Sequence, residues 1–437
     1  MDDLIRHPLA YARMQRGWTQ DDLAQGVRRA AAARGLRSGT DRQRVWQWEH
    51  KIRVPNGESQ ILLGDVFGVP ENHREMYGWP DWLPGHDLPL PFGSEYTVQA
   101  LREAHRSAMD RRTFMTISAV SLVGLASQWA TIEPGHLSSA LGGKSVDLEL
   151  VEWLEATSAK LNGLPTEQRQ HTAVLLDAHL ATVTDLLEQG SYGETLGRRL
   201  HTLAASLAIT CGWYRFDQGR NSAAGKLWDA ALHSALAAGD RDLGAGVLSD
   251  FAYQATWLEN PRTAADLLDH ALTRARHPTA RSLLHLRKAR AHAALGERSD
   301  CFRNLADAET ALDSPAAVPA PGYCVWMSPA DLAVDSGRCL LDLGHTDAAH
   351  QRITEGITLL PRARDKTRAV FLTYSAESFL RRGEVEQALL VTNQSLDLAN
   401  RIGADRCVKL VRGLASGFRR HRDVAGVAEF LEQLRLS

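Results

Sequence analysis

The stretch Val45-Trp46-Gln47-Trp48-Glu49-His50-Lys51-Ile52-Arg53-Val54-Pro55, preceded upstream by Thr19-Gln20-Asp21-Asp22-Leu23-Ala24, constrains this chain more than any other feature. Read as a helix from about Thr40, it places Val45, Trp48 and Ile52 on one face by their i, i+3, i+7 spacing. That face belongs to a small core. Gln43, Gln47 and His50 repeat the spacing on a second face, with Arg42 and Trp46 beside it. A carboxamide matches the N6/N7 edge of adenine and a guanidinium the O6/N7 edge of guanine, each bidentately. The second face is therefore expected to meet base edges.

Local signals bound the neighbouring elements. Thr40-Asp41-Arg42-Gln43 has the form in which a hydroxyl and a carboxamide satisfy orphan backbone donors at a helix start, a role that competes with base reading by Gln43. Leu9, Ala12, Arg13 and Gly17 read as a first helix, and Thr19 as the cap of a second that runs from Gln20 to about Ala33 and stops at Gly35. Gln20, at the amino end of that helix, is placed to help hold a phosphate. Arg28, Arg29, Arg34, Arg37, Arg42, Arg44, Lys51 and Arg53 face only Asp41 and Glu49 in this window, on a chain of net charge −2. Such a patch is either the footprint of a nucleic acid or a solvated helix surface.

Residues 7–70 resemble the Cro/phage-repressor (XRE) helix-turn-helix family, through Arg13, Gly17-Trp18-Thr19-Gln20, Leu23-Ala24, Val45, Trp48-Glu49, Pro55, Leu62-Leu63 and Val66-Phe67-Gly68-Val69. The resemblance implies a five-helix DNA-binding domain over 1–75. It implies a partly buried ion pair between Arg13 and Glu49, base contacts from Arg42, Gln43 and Gln47, and backbone contacts from Gln20, Lys51 and Arg53. Thr40 and Arg44 are counted with that DNA-facing set. The passage over 27–39 is longer than the turn between the family's second and third helices.

At 437 residues the chain has room for further domains. Its five cysteines, Cys211, Cys301, Cys324, Cys339 and Cys407, show no metal-ligand spacing and are odd in number, which favours a reducing cytoplasm. Prolines and glycines after about Pro70 mark a linker whose aromatics are expected to dock on a neighbouring domain, so 76–150 reads as linker and connecting helices. Arg111-Arg112 and the uncharged run 114–132 look like a twin-arginine export signal, but lie behind the amino-terminal unit. The run reads as a buried connecting helix, with a membrane segment or export as alternatives and no stable membrane insertion expected.

From 151 to 437 one phrase recurs: an apolar helix, a short turn, then a helix rich in alanine and leucine. Turns at 219, 260, 296, 344, 383 and 421 lie 36 to 48 residues apart, and small residues just after them, Ala223, Ala264, Ala348 and Ala388, let paired helices approach closely. Helical-hairpin repeats of about 34 residues with longer connections behave in this way. The fold class is therefore all-α, with an α-solenoid after the amino-terminal domain. The array resembles degenerate tetratricopeptide repeats. Trp153, Trp213, Trp228 and Trp257 read as core, and the aromatics of the long loop 315–327, Tyr323 and Trp326, either bind an effector or plug a gap between pairs.

Gly142, Gly143, Lys144 and Ser145 lack the earlier glycine of a phosphate-binding loop, and no other catalytic pattern is found, so no enzyme activity, cofactor or metal is expected. The whole resembles regulators of high-GC actinobacteria that join a Cro-type reader to a tetratricopeptide-like array. That resemblance implies a homodimeric, cytoplasmic transcriptional regulator on an inverted-repeat operator, whose array senses a peptide, small molecule or protein. The alternative is an interaction scaffold whose helix-turn-helix no longer reads DNA.

Overall fold

The computed structural model describes residues 8–16, 18–50, 52–69, 74, 79–80, 82–83, 90, 92–109, 119–132, 144–162 and 166–436. Among them the chain is all-α except for one two-residue parallel pairing of Lys144–Ser145 with Gly190–Ser191. Two compact units result, Met1–Leu90 with Met115–Leu125, and Pro91–Phe114 with Ala126–Ser437.

The first unit holds helices α1 (Pro8–Gln15), α2 (Gln20–Ala33), α3 (Arg42–Glu49) and α4 (Gly57–Phe67). A fifth helix expected there falls largely outside the described residues. Thr19 caps α2 reciprocally with Asp22, and these hydrogen bonds hold the Asp22 carboxyl below the usual carboxylate range. Asn56 caps α4, which ends at Gly68 in the left-handed region that glycine adopts without a Cβ clash. Leu9, Leu23, Val27, Val45, Trp48, Leu62 and Leu63 form the core, completed by Trp82 and Leu83 from the segment read as linker.

The expected extent of α3 needs two corrections. It starts at Arg42, capped by Asp41 rather than Thr40, because the Asp41 carboxylate accepts from the Arg44 N–H at 2.8 Å. It ends at Glu49, so Ile52 has left the helix and is 61% exposed rather than in the core.

The second unit is an array of helix pairs. Six follow in order: Glu194–Asp217 with Asn221–Ala238, Arg241–Trp257 with Pro261–Leu272, Pro278–Ala294 with Arg298–Asp313, Pro329–Asp342 with Thr346–Leu359, Asp365–Arg382 with Val385–Ile402, and Asp405–Phe418 with Val427–Leu436. They turn at the positions read from the sequence. Gly219, Gly296, Gly344 and Gly383 adopt positive φ, Glu259 does so beside Asn260, and Arg419–His421 forms a short 3-10 turn. The helices of pair four approach closely: a Cβ on Gly356 would fall 2.5 Å from Val334, and one on Gly337 would fall 2.7 Å from Ile353.

Ala223, Ala264 and Ala388 are buried between paired helices as expected, but Ala348 faces outward and Ala349 takes its place. Trp228 is core, its indole lying over Gly212. Trp153 is not: Val151 and Leu154 turn inward from Leu148–Asn162 and leave it 61% exposed.

Ser94–Met109 packs on Asn221–Ala238. Of the run 114–132 the structure describes Ala119–Thr131 and Ile132. Trp129 is buried against Gly244, and Arg241 and Arg274 donate to the carbonyls of Ile132 and Ala130 at 3.0 and 2.5 Å. Arg111 and Arg112 lie outside the described residues. No described helix is long and apolar enough to cross a membrane.

Replacing Gly356 with valine is expected to lower stability by about 1–3 kcal/mol, because overpacking forces the pair apart; the urea midpoint reads the change. Burial pushes the His201 imidazole down to about 4. Unfolding restores a value of about 6.5, so this contribution is complete above that pH and is lost as pH falls towards 4, by up to about 1.4 kcal/mol per unit. Urea midpoints in this window are expected to fall less steeply for His201→Leu than for the wild type.

Candidate nucleic-acid interface

The first unit is tied together at one carboxylate. Glu49, buried at the end of α3, accepts from Arg13 Nε at 2.6 Å, Arg13 Nη2 at 3.2 Å and Gln20 Nε2 at 2.7 Å. Arg13 also donates to the Trp18 carbonyl at 2.7 Å. The last turn of α3 is thereby locked to α1 and to the first residue of α2. Gln20, placed by sequence at a phosphate, spends its amide on Glu49, a pairing that no local pattern announces.

With Val45 and Trp48 turned into the core, the opposite side of α3 is open. Arg42, Gln43 and Arg44 are exposed and Gln47 is half-buried. Trp46, 42% exposed, stacks on His50 with ring centroids 4.3 Å apart, while His50 Nδ1 meets the Trp46 carbonyl at 2.8 Å. Gln43, Trp46, Gln47 and His50 thus share a stripe at i, i+3, i+4, i+7. The chain turns directly after α3, where the N–H groups of Ile52 and Arg53 donate to the Gln47 carbonyl at 3.0 and 3.3 Å, and Arg53 is exposed. Lys51 lies outside the described residues.

Thr40 does not join this surface. It is 2% exposed, its hydroxyl meets Ser38 Oγ at 2.9 Å, and its carbonyl accepts from Arg28 Nη1 at 2.5 Å. That last contact ties α2 to the end of the lengthened passage, just before α3 begins. Arg29, Arg37, Arg42, Arg44 and Arg53 remain exposed, whereas Arg34 is drawn into a pair with Asp65 on α4. Asp65 lies twelve residues beyond Arg53, the last residue of the basic patch.

The loop aromatics of the second unit separate. Tyr323 lies against Gly246, where a Cβ would come within 2.6 Å of its ring, and Cys324 and Met327 are buried with Leu283 and Leu286. Trp326 is 39% exposed; its Nε1 donates to the Tyr323 carbonyl at 2.6 Å and the Arg364 guanidinium stands 5.6 Å from its ring. It edges a shallow cavity of about 390 Å³ with Leu359, Pro361 and Arg364. The two rings thus have different surroundings, although Trp326 is hydrogen-bonded to the Tyr323 backbone.

Residues 9–69 match the family described as the SP15 N-terminal domain, a match that runs from α1 through α4. No curated protein matches the chain.

Removing Glu49 leaves the Arg13 charge buried without its partner. Glu49→Ala is expected to cost about 3–5 kcal/mol, the usual loss on breaking a buried pair. Denaturant unfolding monitored by tryptophan fluorescence, sensitive to the buried Trp48, would measure it.

Proposed function

We propose that the chain is a sequence-specific DNA-binding transcriptional regulator of the Cro-type helix-turn-helix class, without enzymatic activity, whose tetratricopeptide-like array carries the control input. The observation that carries the reading is the rigid presentation of Gln43, Gln47, Arg42 and Arg44 on the solvent side of α3, a short helix fastened from behind by Arg13, Gln20 and Glu49. Amide side chains on one fixed helix face, with a guanidinium to either side, have the donor and acceptor pattern that major-groove edges answer. The exposed arginines around them supply the phosphate attraction that positions such a helix.

One short helix makes few base contacts. A dimer that places two of them about 34 Å apart reads both halves of an inverted repeat on one face of the duplex. The cytoplasm, where such a target resides, agrees with five free cysteines and no disulfide.

Selection from random DNA by the full-length protein is expected to enrich an inverted repeat that Gln43→Ala/Gln47→Ala does not select. Arg53→Ala is expected to weaken binding to all sequences alike and to lower the salt slope by about one. No enrichment by folded wild-type protein would favour an interaction scaffold instead, and equal losses on operator and random DNA for Gln43→Ala/Gln47→Ala would refute the base-reading role of the two glutamines.

A further inference from the structure

The sixth pair reaches back to the first two. Arg406, near the start of Asp405–Phe418, enters a box walled by Phe216, Tyr253 and Trp257, its guanidinium carbon 5.2, 5.4 and 5.3 Å from their ring centroids. Nη1 donates to the Tyr253 hydroxyl at 2.7 Å and Nε to Asp217 Oδ1 at 3.2 Å, across 153 and 189 residues of sequence. Lys366 also pairs with Asp217 and stands 5.5 Å from the Trp213 ring. Aromatic faces attract a cation through their quadrupoles, and a planar guanidinium both stacks on them and donates in the ring plane.

The box has its own support. Phe216 meets Tyr253 and Trp257 nearly edge-on, at 83° and 81°, and Trp213 and Trp228 brace Phe216 from behind. Tyr253 and Trp257 keep part of their surface in solvent. The helix that brings Arg406 is anchored elsewhere, by Cys407, Val411, Leu414 and Phe418 in the cores of pairs five and six. Receptor and occupant thus stand on separately held elements of the array.

We infer that the box is a binding site for the arginine side chain of a peptide effector, and that Arg406 is a tethered occupant which such a ligand displaces. The inference deepens the proposal that the array carries the control input, and rests on it. A tethered side chain competes at an effective concentration of about millimolar or above, so the wild type binds a free arginyl ligand only weakly. Freed of Arg406, the box offers Asp217, the Tyr253 hydroxyl and three ring faces to the incoming guanidinium.

The test is titration of full-length protein with acetyl-Gly-Arg-Gly-amide and its citrulline counterpart, followed by tryptophan fluorescence and calorimetry. Arg406→Ala and Arg406→Gln are expected to bind the arginyl peptide at least about tenfold more tightly than the wild type does. The neutral citrulline peptide is expected to bind at least about tenfold more weakly than the arginyl one, and Asp217→Asn in the Arg406→Ala background to abolish the gain. Folded variants that show no saturable binding, bind both peptides equally or match the wild type would overturn the inference. So would loss of the helical circular dichroism in both variants, which would make Arg406 part of the core. The readout needs no DNA, so this inference and the DNA-binding reading fail separately.

Discussion

Buried charges that are satisfied in one register alone hold the array in order. A helix pair covers one face with its partner and leaves another for the next pair, and apolar contact by itself tolerates a slip of that boundary. Where first helices meet, slippage is blocked. Asp250 accepts from Trp213 Nε1 at 2.9 Å and from Arg287 Nη1 at 2.8 Å, joining the first three pairs. Arg290 pairs with Asp335, Arg338 reaches Glu377 of the next pair at 2.5 Å, and both arginines face the Tyr374 ring. Burial pushes the Asp250 and Asp335 carboxyls up while the arginines opposite pull them down. Separating such a pair leaves an uncompensated charge, so the boundary has one low-energy register.

The first unit applies the same physics on a smaller scale. One carboxylate, Glu49, collects three donors from α1 and α2 and fixes the roll of α3 about its own axis. Roll decides which side chains face out. Val45 and Trp48 then fill the core, and Arg42, Gln43 and Arg44 are left in solvent without any contact of their own having to hold them there.

Much of this was legible. The turns near 219, 260, 296, 344 and 383 show in the sequence because positive φ is a local demand, met cheaply by glycine and once here by Glu259. The two faces of α3 show in its spacing, since a helix repeats its direction every 3.6 residues. Errors arose where a competing local bond ended or shifted an element. Asp41 outcompeted Thr40 as the cap, and the return of the chain onto the Gln47 carbonyl carried Ile52 out of the helix. Tyr323 and Trp326, three residues apart in one loop, could not be told apart, because a loop has no period from which to read the direction of a side chain.

The sequence by itself determined the helices, most of their ends and the recurrence of pairs, all of which depend on neighbours a few residues away. Only the tertiary structure decided which polar groups meet: Gln20 with Glu49, Arg34 with Asp65, Arg287 with Asp250 and Arg406 with Asp217. Periodicity states which way a side chain points from its own helix, but not which helix stands opposite. That choice is made by the packing of the whole unit, which brings residues up to 189 positions apart to within a hydrogen bond.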